Sequence, residues 1–292
     1  MRCEDMGLLI GINPFKFEDF FEMVMAGELD FSNLSYLKVM KKTLEAGFTH
    51  IEINGDLPYT LPGMLEDNEI NQLVEIKEKN KITYSVHLPL WGLEPSAFSP
   101  QARKGAIDAF IDCIERTKKL DPYCYVIHTT GTLAVEFLGL NLPDFAKGIV
   151  ANQFVENAKN SLEKLLERIE IPSRKIAVEN IEFPFDLMEP IIEDLDLSIC
   201  FDTGHLLAGY SGKISVLDFI DKYYERIIEL HLHDGAYPRK DHKPLGTLEL
   251  PTKELLTKLN NKEFKGPLVF ELGLQEAIQS MQFIKEHCPE VL

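Results

Sequence analysis

Residues 197–205 read LSICFDTGH. The first six have the pattern of a β-strand. Successive side chains alternate, so Ile199 and Phe201 share one face while Ser198, Cys200 and Asp202 share the other. The bulky face suits packing against helices. The smaller face ends on a carboxylate, and the chain then turns polar at Thr203, Gly204 and His205. A strand that is helix-facing on one side and ends in chemistry on the other belongs in an α/β barrel, where sites gather at the C-terminal ends of the strands. Gly204 is expected to provide a sharp turn through its backbone freedom, bringing His205 back toward Asp202.

The same pattern recurs along the chain. Strands are expected at 8–13 (LLIGIN), 50–54 (HIEIN), 82–88 (ITYSVHL), 123–129 (YCYVIHT), 175–181 (KIAVENI), 197–202, 227–233 (IIELHLH) and 267–272 (PLVFEL). Amphipathic helical segments lie between them. Ala106, Ile107, Phe110, Ile111 and Ile114 recur at helical spacing within 102–119, and Phe154, Ala158, Leu162 and Leu165 do so within 151–169. Eight β/α alternations in 292 residues, with no Gly/Ser-rich linker, predict an α/β fold: a single (β/α)8 TIM barrel over residues 1–292. The segment 14–36 is long for a connection and is expected to form a helical lid or an extra helix.

Read by parity, the inward faces end polar almost everywhere: Glu52 and Asn54, His87, His128, Glu179, Asp202, His231 and His233, and Glu271. Each alone is explained by an ordinary hydrogen bond, since buried polar groups find partners. Together they are costly in one dry mouth without a cation. Carboxylates with imidazoles suit zinc, manganese or iron, and the absence of cysteine from the set argues against a soft thiolate site.

Composition narrows the partners. A formal charge of −17 repels phosphate backbones and anionic lipid, so nucleic acid and membrane are disfavoured and a small molecule is expected. Five cysteines, Cys3, Cys113, Cys124, Cys200 and Cys288, form no close-spaced framework, which fits a reduced cytoplasmic compartment. Residues 1–7 lack the form of a signal peptide. A homo-oligomer is left open.

The motifs SVHLPL (85–90), VIHTTG (126–131), VENIEFPF (178–185), CFDTGHL (200–206), HLHDG (231–235) and DHKPLG (241–246), with Glu271 beyond them, resemble the xylose isomerase-like TIM-barrel superfamily. It is also called AP endonuclease family 2 and includes endonuclease IV. The resemblance implies one to three divalent ions per chain. A first would lie near His87, His128 and Glu179. A second would use Glu179 as a bridge with Asp202, His231 and Glu271. A third would use His205 and His242. The endonuclease pattern has an aspartate two residues before the histidine at position 242. Here Lys240 stands there and Asp241 is displaced by one, which puts the third ion in question.

The resemblance implies two reactions. The leading expectation is phosphoester hydrolysis by metal-activated water, with Glu179 bridging and Glu271 orienting the nucleophile. TYSVHLPL, LDPYCYVIH, VENIEFPF and GHLLAGY are similar to the cobamide-remodelling phosphodiesterases of the superfamily. The alternative is a sugar or sugar-phosphate isomerase or epimerase that uses one ion and the catalytic pair Glu179 and Glu271 for proton transfer. The expected substrate is phosphorylated or sugar-like. His233 shares a face with His231, and the motif places it behind that ligand. With Trp91, Arg239 and Lys240 it is a candidate for substrate contact. His50 opens a strand and is expected to hydrogen-bond there.

Overall fold

The structure is a computed structural model that describes residues 8–14, 36–61 and 63–292. Most of the 14–36 segment, Cys3 and the first seven residues lie outside the described residues.

The strands are β1 (Leu9–Ile12), β2 (His50–Asn54), β3 (Thr83–His87), β4 (Tyr125–Ile127), β5 (Ile176–Glu179), β6 (Ser198–Asp202), β7 (Ile227–His231), β8 (Asp234–Ala236), β9 (Lys240–Lys243) and β10 (Pro267–Phe270). Eight of them close a barrel in the order β1-β10-β7-β6-β5-β4-β3-β2, every pairing parallel. All eight expected strands are present, most of them shorter than expected. His128 and His233 fall just past their strands, where the backbone leaves the ladder for the mouth. The remaining pair, β8 and β9, forms an antiparallel hairpin. Sequence parity did not anticipate this hairpin, because it is too short for alternation to register.

The described helices are α1 (Tyr36–Glu45), α2 (Leu57–Thr60), α3 (Asp67–Asn80), α4 (Pro100–Thr117), α5 (Thr132–Gly139), α6 (Asp144–Leu166), α7 (Glu189–Asp194), α8 (Thr203–Leu207), α9 (Val216–Tyr223), α10 (Thr252–Asn261) and α11 (Leu274–His287). Their starts are legible in the chain. Ser99 caps α4, with Pro100 in the first turn, and the Ser215 hydroxyl accepts the Asp218 N–H at the start of α9. α4 buries Ala106, Ile107, Phe110 and Ile114, and α6 buries Phe154, Ala158, Leu162 and Leu165, as their spacing predicts.

The main apolar core lies between sheet and helices. Phe201 of β6 stacks on Phe219 of α9 with ring centroids 4.1 Å apart, so the bulky face of the opening stretch does turn outward. The barrel interior differs from the layers of branched aliphatics usual for the fold. Cys124, Val126, Ala177 and Cys200 form a small separate cluster there. Beside them runs a buried polar chain. His50 Nδ1 meets Thr83 Oγ1 at 2.8 Å and its Nε2 meets Ser85 Oγ at 3.0 Å. Ser85 Oγ and Cys124 Sγ both donate to Glu229, each at 3.1 Å. Among the described residues, no helix is long and apolar enough to cross a membrane.

Candidate metal centre

Asp202 ends β6 and caps α8. Its Oδ1 accepts the His205 N–H at 2.6 Å, and its Oδ2 accepts from His233 Nε2 at 2.8 Å. Asn180 stands beside it: its side-chain amide accepts the Asp202 N–H at 2.7 Å and donates to the Asp202 carbonyl at 2.9 Å. This lock continues the β5–β6 ladder one step past the strand end, and parity alone gives Asn180 no such role. Gly204 corrects the reading of the turn. It sits inside α8 with no positive φ, so backbone freedom is not its use. A Cβ there would overlap the His233 ring, so the glycine is needed for space.

Glu179 divides its two oxygens. Oε2 lies 3.2 Å from His87 Nε2 and 2.9 Å from His128 Nε2. Oε1 lies 3.2 Å from His205 Nδ1 and 3.5 Å from His231 Nδ1. His231 Nδ1 is also 3.5 Å from Glu271 Oε2 and 3.8 Å from Asp202 Oδ2. On the other side of its ring, Nε2 meets Glu52 Oε2 at 3.2 Å, and Asn13 Nδ2 donates to Glu52 Oε1 at 2.9 Å. Glu52 thereby turns Nδ1 toward the carboxylates, the support a ligating histidine ordinarily has. His87 is oriented in the same way, because its Nδ1 donates to the Leu88 carbonyl at 2.9 Å and leaves Nε2 facing Glu179.

Three buried atoms here have no hydrogen-bond partner among the described residues: Glu179 Oε1, His205 Nδ1 and His231 Nδ1. Orphaned donors and acceptors of this kind are costly, and these converge among the carboxylates of Asp202 and Glu271. A divalent cation fits them. Two groups have donor atoms within 4.8 Å of one another: His87, His128 and Glu179, and then Glu179, Asp202, His231 and Glu271. His205, His233 and His242 form another. In that last group His233 is already committed, since its Nδ1 accepts the His242 N–H at 2.9 Å while Nε2 donates to Asp202.

The electrostatics agree with this convergence. Burial pushes the Glu179 carboxyl up, but the His128 and His231 rings overcome it and hold Glu179 well below the usual range. Burial likewise raises Glu271, and His231 and His242 more than reverse it. Burial pulls His87 and His205 down, yet Glu179 and Glu52 raise the first to about 10, and Asp202 and Glu179 raise the second to about 9.

The other candidates fall elsewhere. His233 is fully buried, with its ring nitrogens engaged by Asp202 and the His242 N–H, so it positions Asp202. Lys240 is exposed on β9, and Trp91 is half-buried in the loop after β3, where its neighbours Leu90 and Leu93 line the adjoining cleft. Arg239 pairs with Glu182 at 3.0 Å and lies over the Tyr210 ring at 5.4 Å. The displaced Asp241 still serves His242, with Oδ1 3.3 Å from Nδ1. Cys200 and Glu229 do come near His231, Glu229 on its Nε2 side at 3.8 Å. Burial keeps the Cys200 thiol far above its ordinary value, so it remains a thiol and not a thiolate ligand.

The sequence profile of the xylose isomerase-like TIM barrels matches residues 40–287. The chain belongs to that family. The uncharacterized protein MJ1311 of Methanocaldococcus jannaschii is 26% identical over 241 residues, covering 76% of each chain. Among solved structures, a D-tagatose 3-epimerase-like protein superposes with a TM-score of 0.71 at 24% identity, over 88% of this chain and 94% of the other. The D-psicose 3-epimerase of Clostridium cellulolyticum H10 gives 0.63 at 18% identity, over 86% and 93%. At these identities the likeness shows the xylose isomerase-like fold.

Proposed function

We propose that this protein is a divalent-metal sugar isomerase or epimerase that moves a proton at a carbon next to a carbonyl. One observation carries the reading: Glu179, Asp202, His231 and Glu271 bring one donor atom each within 4.8 Å of the others at the barrel mouth. Three carboxylates and one imidazole suit manganese best among zinc, manganese and iron. A cation held there supplies Lewis-acid polarisation of the substrate's adjacent oxygens.

The chain's own residues do the rest. Glu271, with 16% of its side chain exposed against 1% for Glu179, opens to the mouth and is the carboxylate that takes the carbon-bound proton. Glu179 relays a proton to the other face of the carbon, taken from His87, whose Nε2 lies 3.2 Å from its Oε2 and which the surrounding carboxylates keep protonated. The similarity to a D-tagatose 3-epimerase-like protein and a D-psicose 3-epimerase supports this class over the phosphoester hydrolysis that the sequence motifs put first.

A second reading, phosphoester hydrolysis, is favoured by the split of Glu179, whose two oxygens serve two ligand groups as a bridging carboxylate would.

Incubation of the manganese-loaded protein with ketohexoses in D2O tests the first reading. Deuterium entering at the carbon beside the carbonyl, with one ion per chain, supports it. Two tightly bound ions, one lost in His87→Ala, with cleavage of a corrinoid phosphodiester and no exchange, would replace it with the second.

A further inference from the structure

The barrel mouth continues into a cleft of about 230 Å³ between the loops that follow β3, β4 and β5. His128 and His205 belong to its lining, so it opens directly on the metal centre. Leu90, Leu93, Val135 and Ile181 contribute apolar walls. Among the described residues that line it there is neither lysine nor arginine.

Two buried or part-buried carboxylates build these walls. Asp56 accepts the N–H groups of Leu90 and Trp91, at 3.0 and 2.9 Å. Glu94 accepts those of Gly131 and Leu133, at 2.8 and 2.9 Å, at the start of α5. Two of the N–H groups that an anion would seek at that helix end are therefore already occupied. Glu182, at the rim, engages Arg239. Away from His128 and His205 at the inner end, a phosphate placed here would meet carbon, two threonine hydroxyls and a carboxylate, with no lysine or arginine in the lining to offset its desolvation. Thr130 lines the same cleft, is fully buried, and has no partner for its Oγ1 among the described residues.

We propose that this cleft is a subsite for an uncharged, apolar substituent of the substrate, of the size of a phenyl ring or a short alkyl chain. The substituent is carried beside the oxygens that meet the metal centre, against the walls of Leu90, Leu93, Val135 and Ile181. The inference rests on the metal centre of the proposed function for the anchored end only, and is independent of which reaction runs there.

The test compares acetohydroxamate with benzohydroxamate, two chelators that differ in their apolar arm, on the manganese-loaded protein by calorimetry. Burial of the ring should tighten binding about tenfold or more. Val135→Asp, or Thr132→Trp filling the cleft from its exposed rim, should erase that gain, while acetohydroxamate, which has no arm, keeps its Kd. Equal affinities in the unmodified protein, or a gain that survives both substitutions, overturns the proposal. If neither chelator binds, the metal reading fails and the cleft is judged separately. Benzyl alcohol is then titrated into metal-free protein and followed by the emission of Trp91, the single tryptophan. Saturable binding lost in Thr132→Trp sustains the subsite, and no binding overturns it.

Discussion

Glu52 Oε2 and His231 Nε2 stand 3.2 Å apart inside the barrel, on the side of the histidine away from the mouth. The contact crosses from β2 to β7 and decides which nitrogen of His231 faces Glu179 and Glu271. Glu52→Gln should lower manganese affinity about 10- to 100-fold, the usual cost of losing such a support. Competition with a fluorescent chelator measures it. Unchanged affinity would show that His231 holds its orientation without Glu52.

Gly204 and His233 share the space behind Asp202. Gly204→Ala should force the His233 ring off Asp202 and destabilise the fold by about 1–3 kcal/mol, as overpacking does. The urea midpoint at constant m reports this. A variant as stable as the parent would mean that the ring has room to move.

Glu271 is the base in the proposed reaction. Glu271→Gln should slow solvent deuterium incorporation by about 10²–10⁴-fold, with the protein still folded by circular dichroism. Exchange at the parental rate would transfer that role to another group.

His50 is buried beside Thr83 and Ser85, and a Cβ on Gly11 would come within 2.7 Å of its Cδ2, so the ring has little room. Burial lowers its pKa to about 3, only partly countered by Glu52. The unfolded chain takes up this proton near pH 6.5 and the folded chain does not. His50 therefore contributes fully above about pH 6.5, and its contribution falls by about 1.4 kcal/mol per pH unit toward pH 3. In His50→Gln the difference in stability between pH 7.5 and pH 5 should shrink, as read from urea midpoints. An acid limb of unchanged steepness would contradict a neutral His50 in the fold.

The orphaned polar atoms of Glu179, His205 and His231 should make stability depend on divalent ions. Manganese at 100 times its Kd should add about 2.7 kcal/mol over the chelator-treated protein. Scanning calorimetry with and without chelator measures it, and identical Tm values would leave those atoms without a cation.

Alternation and helical spacing placed the barrel. The outward turn of Phe201, the buried stripe of α4 and the gathering of Glu179, Asp202, His231 and Glu271 at one mouth all follow from local periods that neighbouring residues set. The hairpin of β8 and β9 escaped because four residues or fewer per strand carry no readable period. Gly204 was misjudged for a related reason. Parity says which side a residue faces and says nothing about what already occupies that side.

By itself, the sequence determined a parallel α/β barrel with imidazoles and carboxylates at its strand ends. Those properties are written in residue type and spacing along single strands. Only the tertiary structure decided which nitrogen of His87 and of His231 faces Glu179, that Asp241 serves His242 in spite of the shift, and that the cleft beside His128 has apolar walls. Each of these depends on contacts between segments distant in the chain, such as Glu52 with His231 and Glu94 with Gly131. No local pattern encodes the distance between them.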